Sequence, residues 1–182
     1  MGLPQVFMRK TNMKDLAPIS LPAGVGIHTH IEGQEDIWED IIEESFGAKF
    51  SFEDCIRNGG GYKPEYVFYV SKDGKDIATA TAVEKADFPG EGWFRMVGTR
   101  PSARGCGAGR LVLNACLHSL AARGYESVVL STDDKRIPAI KLYLSLGFEP
   151  IFTHESHEER WKAIMEEING KCCFKKKYIK KG

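Results

Sequence analysis

Between Trp93 and Arg110 the chain reads Trp-Phe-Arg-Met-Val-Gly-Thr-Arg-Pro-Ser-Ala-Arg-Gly-Cys-Gly-Ala-Gly-Arg, and no other stretch restricts the fold as much. An apolar, β-prone segment, Trp93 to Val97, runs into a turn containing Pro101. Glycines follow at 105, 107 and 109, and a helical pattern opens at Arg110. A glycine-rich loop feeding a helix gathers unpaired backbone N–H groups at the positive end of the helix dipole, an arrangement suited to phosphate. Glycine is required because a Cβ would hold a phosphate oxygen off the backbone. The alternative is a glycine-rich turn with no ligand. Two familiar phosphate loops are excluded by spacing. No Gly-Lys-Ser/Thr follows four spacer residues, and the dinucleotide fingerprint needs Gly-x-Gly-x-x-Gly directly after a strand.

Arg104-Gly105-Cys106-Gly107-Ala108-Gly109, placed after a strand that ends in a bulged segment and an x-Pro, resembles the acetyl-CoA-binding motif of the GNAT family of N-acetyltransferases. A second stretch, Ala139-Ile140-Lys141-Leu142-Tyr143-Leu144-Ser145-Leu146-Gly147-Phe148, is similar to that family's other signature, Asn-x-x-Ala-x-x-Leu-Tyr-x-x-x-Gly-Phe. The resemblance covers about residues 20 to 152, with its core from 93 to 148. Leu21-Pro22-Ala23-Gly24-Val25-Gly26-Ile27 and Leu130-Ser131-Thr132-Asp133-Asp134 look most like single-domain members near the mycothiol synthase branch.

The resemblance implies an α/β (α+β) fold. A central mixed, mostly antiparallel sheet would splay between its fourth and fifth strands, with helices flanking it. Pantetheine would pair with backbone groups of Val97, Gly98 and Thr99 on the fourth strand. The pyrophosphate would sit on the N–H groups of Gly105, Cys106, Gly107, Ala108, Gly109 and Arg110, with Arg104 as charge partner. Pro138 and Ala139 would flank the arm. Arg136 replaces the usual Asn, which removes one pantetheine hydrogen bond and offers a group able to reach a phosphate. Tyr143 would protonate the leaving thiolate as general acid. Some members carry a Glu base where this chain has Ser131; Asp133, two residues on, takes its face if the strand continues. Glu84 and a water chain are the other candidates for the base. Gly98 within a strand calls for a bulge or a close ligand approach.

Periodicity places the rest. The first twenty-odd residues read as irregular, punctuated by Pro4, Pro18 and Pro22. Val25 to His30 alternates as a first strand, and His28 and His30 on it are read as structural. Apolar residues at 37, 38, 41, 42 and 46 mark a helix stopped at Gly47, and Phe50 to Ile56 a short second one before Asn58-Gly59-Gly60-Gly61. Glu65–Val70 and Asp76–Val83 are strands joined by a hairpin turn at Lys72-Asp73-Gly74-Lys75. A helix from Arg110 to about Arg123 buries Leu111, Leu113, Ala115, Cys116, Leu117 and Leu120, with Gly124 as C-cap. Ser127–Ser131 is a buried strand, and Pro138 opens a helix ending at Gly147. His157 to Asn169 is a further helix, with Trp161, Ile164, Met165 and Ile168 on one face; a tail with six lysines follows.

With 182 residues the chain is expected to form one domain, its core about 24–152, followed by a C-terminal helix and Lys-rich tail at 153–182. Lys+Arg equals Asp+Glu at 25 each, which argues for neither nucleic acid nor membrane as a partner. Arg9 and Lys10 interrupt any leading apolar run, and five cysteines without Cys-x-x-Cys spacing argue against disulfides and a metal site. A cytoplasmic monomer or homodimer is expected. The reading is an acetyl-CoA-dependent N-acetyltransferase acting on a primary amine of a small metabolite, without a metal. The alternatives are a protein Nα- or lysine acetyltransferase, or a non-catalytic acyl-CoA-binding module that could dispense with Tyr143.

Overall fold

The computed structural model describes residues 3–170. The Lys-rich tail and Cys172-Cys173 lie outside the described residues. The described residues divide into two compact units, residues 13–128 and residues 3–12 with 129–170.

Seven strands and four α-helices lie among the described residues. In the unit 13–128, β2 (Val25–Thr29), β3 (Val67–Lys72), β4 (Lys75–Glu84) and β5 (Gly92–Thr99) pair antiparallel in that order. The β3–β4 turn uses Asp73 at φ 50° and Gly74 at φ 81°, the left-handed pair a two-residue hairpin needs. Residues Ile77 to Val83 are buried without alternation, because α1 (Glu35–Phe46) and α2 (Ala108–Ala122) both pack on β4. Helix α1 buries Trp38, Ile41 and Ile42, spaced as the sequence predicts, and Gly47 closes it at φ 73°. The expected second helix is a single π-helical turn, Glu53–Arg57.

Helix α2 starts two residues before Arg110 and buries Val112; Leu111 is only half-buried. The i, i+3, i+4 pattern fits either residue, so Leu111 was a wrong choice between two neighbours.

In the other unit the strand order is β6 (Val128–Thr132), β1 (Val6–Lys10), β7 (Glu149–Ile151). β1 pairs antiparallel with β7, Phe7 opposite Ile151 and Met8 opposite Pro150. The opening segment is therefore not irregular throughout: Val6 and Met8 are fully buried and alternate with half-buried Phe7 and Arg9. Five residues ending in Arg-Lys give too short an alternation to read without the partner strand. α3 (Ile137–Ser145) begins with Pro138 in its first turn, and α4 (His157–Asn169) buries Trp161 and Ile164, with Met165 and Ile168 half-buried.

Candidate active site

The glycine loop is built from its anchor outward. Arg100, 7% exposed, closes β5: its amide donates to Ile77 O (2.9 Å), its Nε to Asp76 O (2.8 Å), and its Nη1 to Glu44. Pro101–Ala103 form a single 3-10 turn. Arg104 then donates its amide to Pro101 O (3.2 Å), and Gly105 (φ 81°) and Gly107 (φ 88°) turn the chain into α2. The first backbone bond of α2 runs from Leu111 N–H to Gly107 O at 3.0 Å. The amides ahead of it at Ala108 and Gly109 therefore have no intrahelical acceptor, and no side chain caps them. A Cβ on Gly105 or Gly107 would meet nothing within 4 Å, so the loop presents an open face.

Cys106 departs from expectation. Its amide makes a long 3.4 Å bond to Ala103 O, and its exposed thiol donates to the same oxygen at 2.9 Å. It supplies no free amide to the cradle.

On β5 the register skips between Thr81↔Arg95 and Thr79↔Gly98, so Met96 and Val97 together oppose Ala80. Met96 has φ 48°, the local strain of a bulge. Gly98 sits beyond it, and the reason for its missing side chain is α1: an added Cβ would stand 2.8 Å from Ile42 Cδ1. Thr99 donates its amide to Ser45 Oγ at 3.3 Å. Arg104 is exposed on the loop and Arg110 in the first turn of α2.

In the second unit, α3 carries Tyr143, 6% exposed, with its ring edge-on to Phe148 at 6.1 Å between centroids. Burial pushes its hydroxyl up to about 12, with Arg136 pulling weakly the other way. Arg136 forms the N-terminal boundary of α3, and its Nε lies 4.0 Å from the Asp133 carboxylate. Pro138 is exposed and Ala139 half-buried in the first turn.

β6 ends at Thr132, so Asp133 is not on the strand; it is an exposed residue of the turn before α3, where its carbonyl accepts Arg136 N–H at 3.0 Å. Gln5 nevertheless joins the two positions: Ser131 Oγ donates to its Oε1 at 2.6 Å, and its Nε2 donates to Asp133 Oδ1 at 3.1 Å. Gln5 lies just ahead of the unanticipated β1, which is why sequence reasoning missed it. Glu84 is already committed: one oxygen accepts Gly90 N–H (3.2 Å) and the other Tyr125 O–H (3.1 Å).

The chain is 31% identical over 141 residues to the mycothiol acetyltransferase of Thermomonospora curvata, covering 73% of this chain and 47% of the relative. It is 30% identical over 145 residues to the mycothiol acetyltransferase of Frankia casuarinae, covering 70% and 42%. It thus spans about half the length of these curated relatives. A solved GCN5-related N-acetyltransferase from Sphaerobacter thermophilus superposes with a TM-score of 0.66 at 25% identity, over 82% of this chain and 50% of that one. Residues 31–148, well over half the chain and including both motifs, match the acetyltransferase (GNAT) family, and to that family the chain belongs.

Proposed function

We propose that residues 1–182 act as a single acetyltransferase domain that moves acetyl from acetyl-CoA to a primary amine of a small metabolite. One observation carries this reading: the uncapped start of α2 behind two left-handed glycines with open space over them. Amides with no acceptor at a positive helix end recognise a pyrophosphate through the main chain alone. Gly105, Gly107, Ala108, Gly109 and Arg110 hold it, with Arg104 neutralising charge. Pantetheine runs along Val97, Gly98 and Thr99, where the bulge interrupts the ladder to β4. The relatives are mycothiol acetyltransferases, which supports a metabolite acceptor over a protein one.

Chemically, a neutral amine attacks the thioester carbonyl, the carbonyl oxygen takes negative charge, and the C–S bond breaks to release coenzyme A as thiolate. An N–H near Val97 or Gly98 stabilises the oxyanion. Tyr143 gives its proton to sulfur. A phenol raised to about 12 by burial stays protonated across the working range and so keeps a proton to give. The amine's surplus proton passes through water to the exposed Asp133 carboxylate, steadied by Gln5. Glu84, each of whose oxygens already accepts a hydrogen bond, is the second candidate for the base.

Acetyl-CoA should raise the melting temperature. At a hundredfold excess over Kd the added stability is about 2.7 kcal/mol. Gly107→Val, at φ 88°, should abolish the rise. A screen of amines against thiol release then finds the acceptor. A wild-type melt unmoved by millimolar acetyl-CoA would overturn the reading; binding without thiol release from any amine would make the chain an acyl-CoA-binding module.

A further inference from the structure

Three side chains that acetyl transfer does not use converge between β2 and α1. His30, Glu32 and Glu35 each place one potential ligand atom within 4.8 Å of the other two, the one such set among the described residues. Two carboxylates alone would be unremarkable on a surface. The His30 side chain is what distinguishes them, since it is 0% exposed. Its Nδ1 lies 3.0 Å from the Tyr69 hydroxyl, while its Nε2 is buried with no hydrogen-bond partner and faces Glu35 Oε1 at 3.7 Å. A buried ring nitrogen aimed at a carboxylate yet bonded to nothing is costly to keep.

We propose that His30, Glu32 and Glu35 form a binding site for a divalent transition-metal cation of the zinc class, which competes for the carboxylates with Arg57. The 3.7 Å separation is near the ~3.4 Å edge of a tetrahedral site with bonds of about 2.1 Å. One imidazole and two carboxylates leave a fourth position for water, and this donor set suits zinc or cobalt. In the tautomer whose Nδ1–H is donated to the Tyr69 hydroxyl oxygen, the ring presents a lone pair at Nε2, the second-shell pattern of a metal-bound histidine. Glu35 Oε1 is positioned by the Gly33 N–H at 3.3 Å and by Arg57 Nη2 at 2.5 Å. Tyr62 O–H fixes Glu32 Oε1 at 2.7 Å.

Arg57 is the present counter-cation. Its Nη2 contacts Glu32 and, at 2.5 Å, Glu35. Its Nη1 also reaches Glu53 at 3.1 Å, so a displaced guanidinium keeps a partner. It arrives on an isolated π-helical turn ahead of Asn58 and three glycines, two of them at positive φ, with its guanidinium 5.5 Å from the Phe52 ring and 5.6 Å from the Tyr62 ring.

The test titrates zinc and cobalt(II) into metal-free full-length protein by calorimetry and visible absorption. Wild type should bind one ion, with cobalt d–d bands and no sulfur charge-transfer band. Glu32→Gln, on a side chain 55% exposed and so harmless to folding, should weaken binding about tenfold or more. His30→Gln should do the same, and Arg57→Gln should tighten it. No saturable binding in either wild type or Arg57→Gln overturns the site. So does binding that keeps its affinity in Glu32→Gln or shows sulfur charge transfer, since the cysteines would then be the ligands.

Discussion

Gly98→Ala separates two reasons for a glycine that the sequence could not tell apart. The added Cβ would stand 2.8 Å from Ile42 Cδ1, 3.4 Å from Ser45 Cβ and 3.5 Å from Ile41 Cγ2. Ile41 and Ile42 are both fully buried, so the first contact cannot be relieved into solvent. Overpacking of this kind costs about 1–3 kcal/mol. Replacing glycine within a strand returns about 0.5–1 kcal/mol, because the unfolded chain loses freedom. The net loss should be up to about 2.5 kcal/mol, or a few degrees in Tm for a chain of this size. Ile42→Val removes the clashing Cδ1 at a cost of about 0.5–1.5 kcal/mol. In that background Gly98→Ala should become neutral or mildly stabilising, a coupling of about 1 kcal/mol or more between touching residues. The assay is urea unfolding of wild type, both single variants and the double, followed by fluorescence and far-UV circular dichroism, whose coincidence licenses two-state analysis. Acetyl-CoA titration accompanies each. Packing is refuted as the reason if Gly98→Ala leaves the unfolding midpoint unchanged while destroying ligand affinity. Failure of Ile42→Val to rescue would refute the specific contact.

Three other expectations follow from the same geometry. Cys106→Ala should keep near-normal turnover, measured by thiol release, because the thiol points to Ala103 O and no acyl-cysteine is needed; mass spectrometry should find no acetyl on Cys106. Tyr143→Phe should lower kcat by about 10²–10⁴-fold with little change in acetyl-CoA affinity, and a variant turning over within about threefold of wild type would show that water protonates the thiolate. Burial alone would lower the pKa of His28, but its 2.7 Å bond to Asp76, its contact with Thr29 O and the Asp76 charge outweigh that and raise it. The stabilisation is therefore full below the unfolded value of about 6.5 and is lost as pH rises through the higher folded value. Urea midpoints from acid to alkaline should show that decline in wild type and lose it in Asp76→Asn.

The features legible in the sequence were those with a repeating period or a fixed backbone demand. The α1 stripe at 38, 41 and 42, the Asp73-Gly74 turn and the left-handed Gly105 and Gly107 all announce themselves within a few residues. Those that failed depend on distant partners. β1 is a strand because β6 and β7 flank it, and its own five residues carry little signal. Gly98 marks the packing of α1, while the bulge it seemed to announce falls one step earlier, at Met96 and Val97. Asp133 was placed by strand alternation that stops at Thr132, yet Gln5, invisible to any local pattern, ties it to Ser131 regardless. His30 is buried against Phe52 and Tyr69, consistent with a structural role, but alternation along β2 says nothing about which ring nitrogen lacks a partner.

The position of β1 also sets an order for synthesis. The unit from Met13 to Val128 is one continuous stretch and can close while the ribosome is still adding residues. Phe7 leaves the tunnel early but must wait for Ile151, its antiparallel partner, and meanwhile carries Val6 and Met8 unburied. Contacts so far apart in sequence form slowly. The pairing of β1 with β7 thus forms only after the stretch from Met13 to Val128 has been synthesised. A fusion attached ahead of Val6 would burden the middle strand of the β6-β1-β7 order through that pairing step.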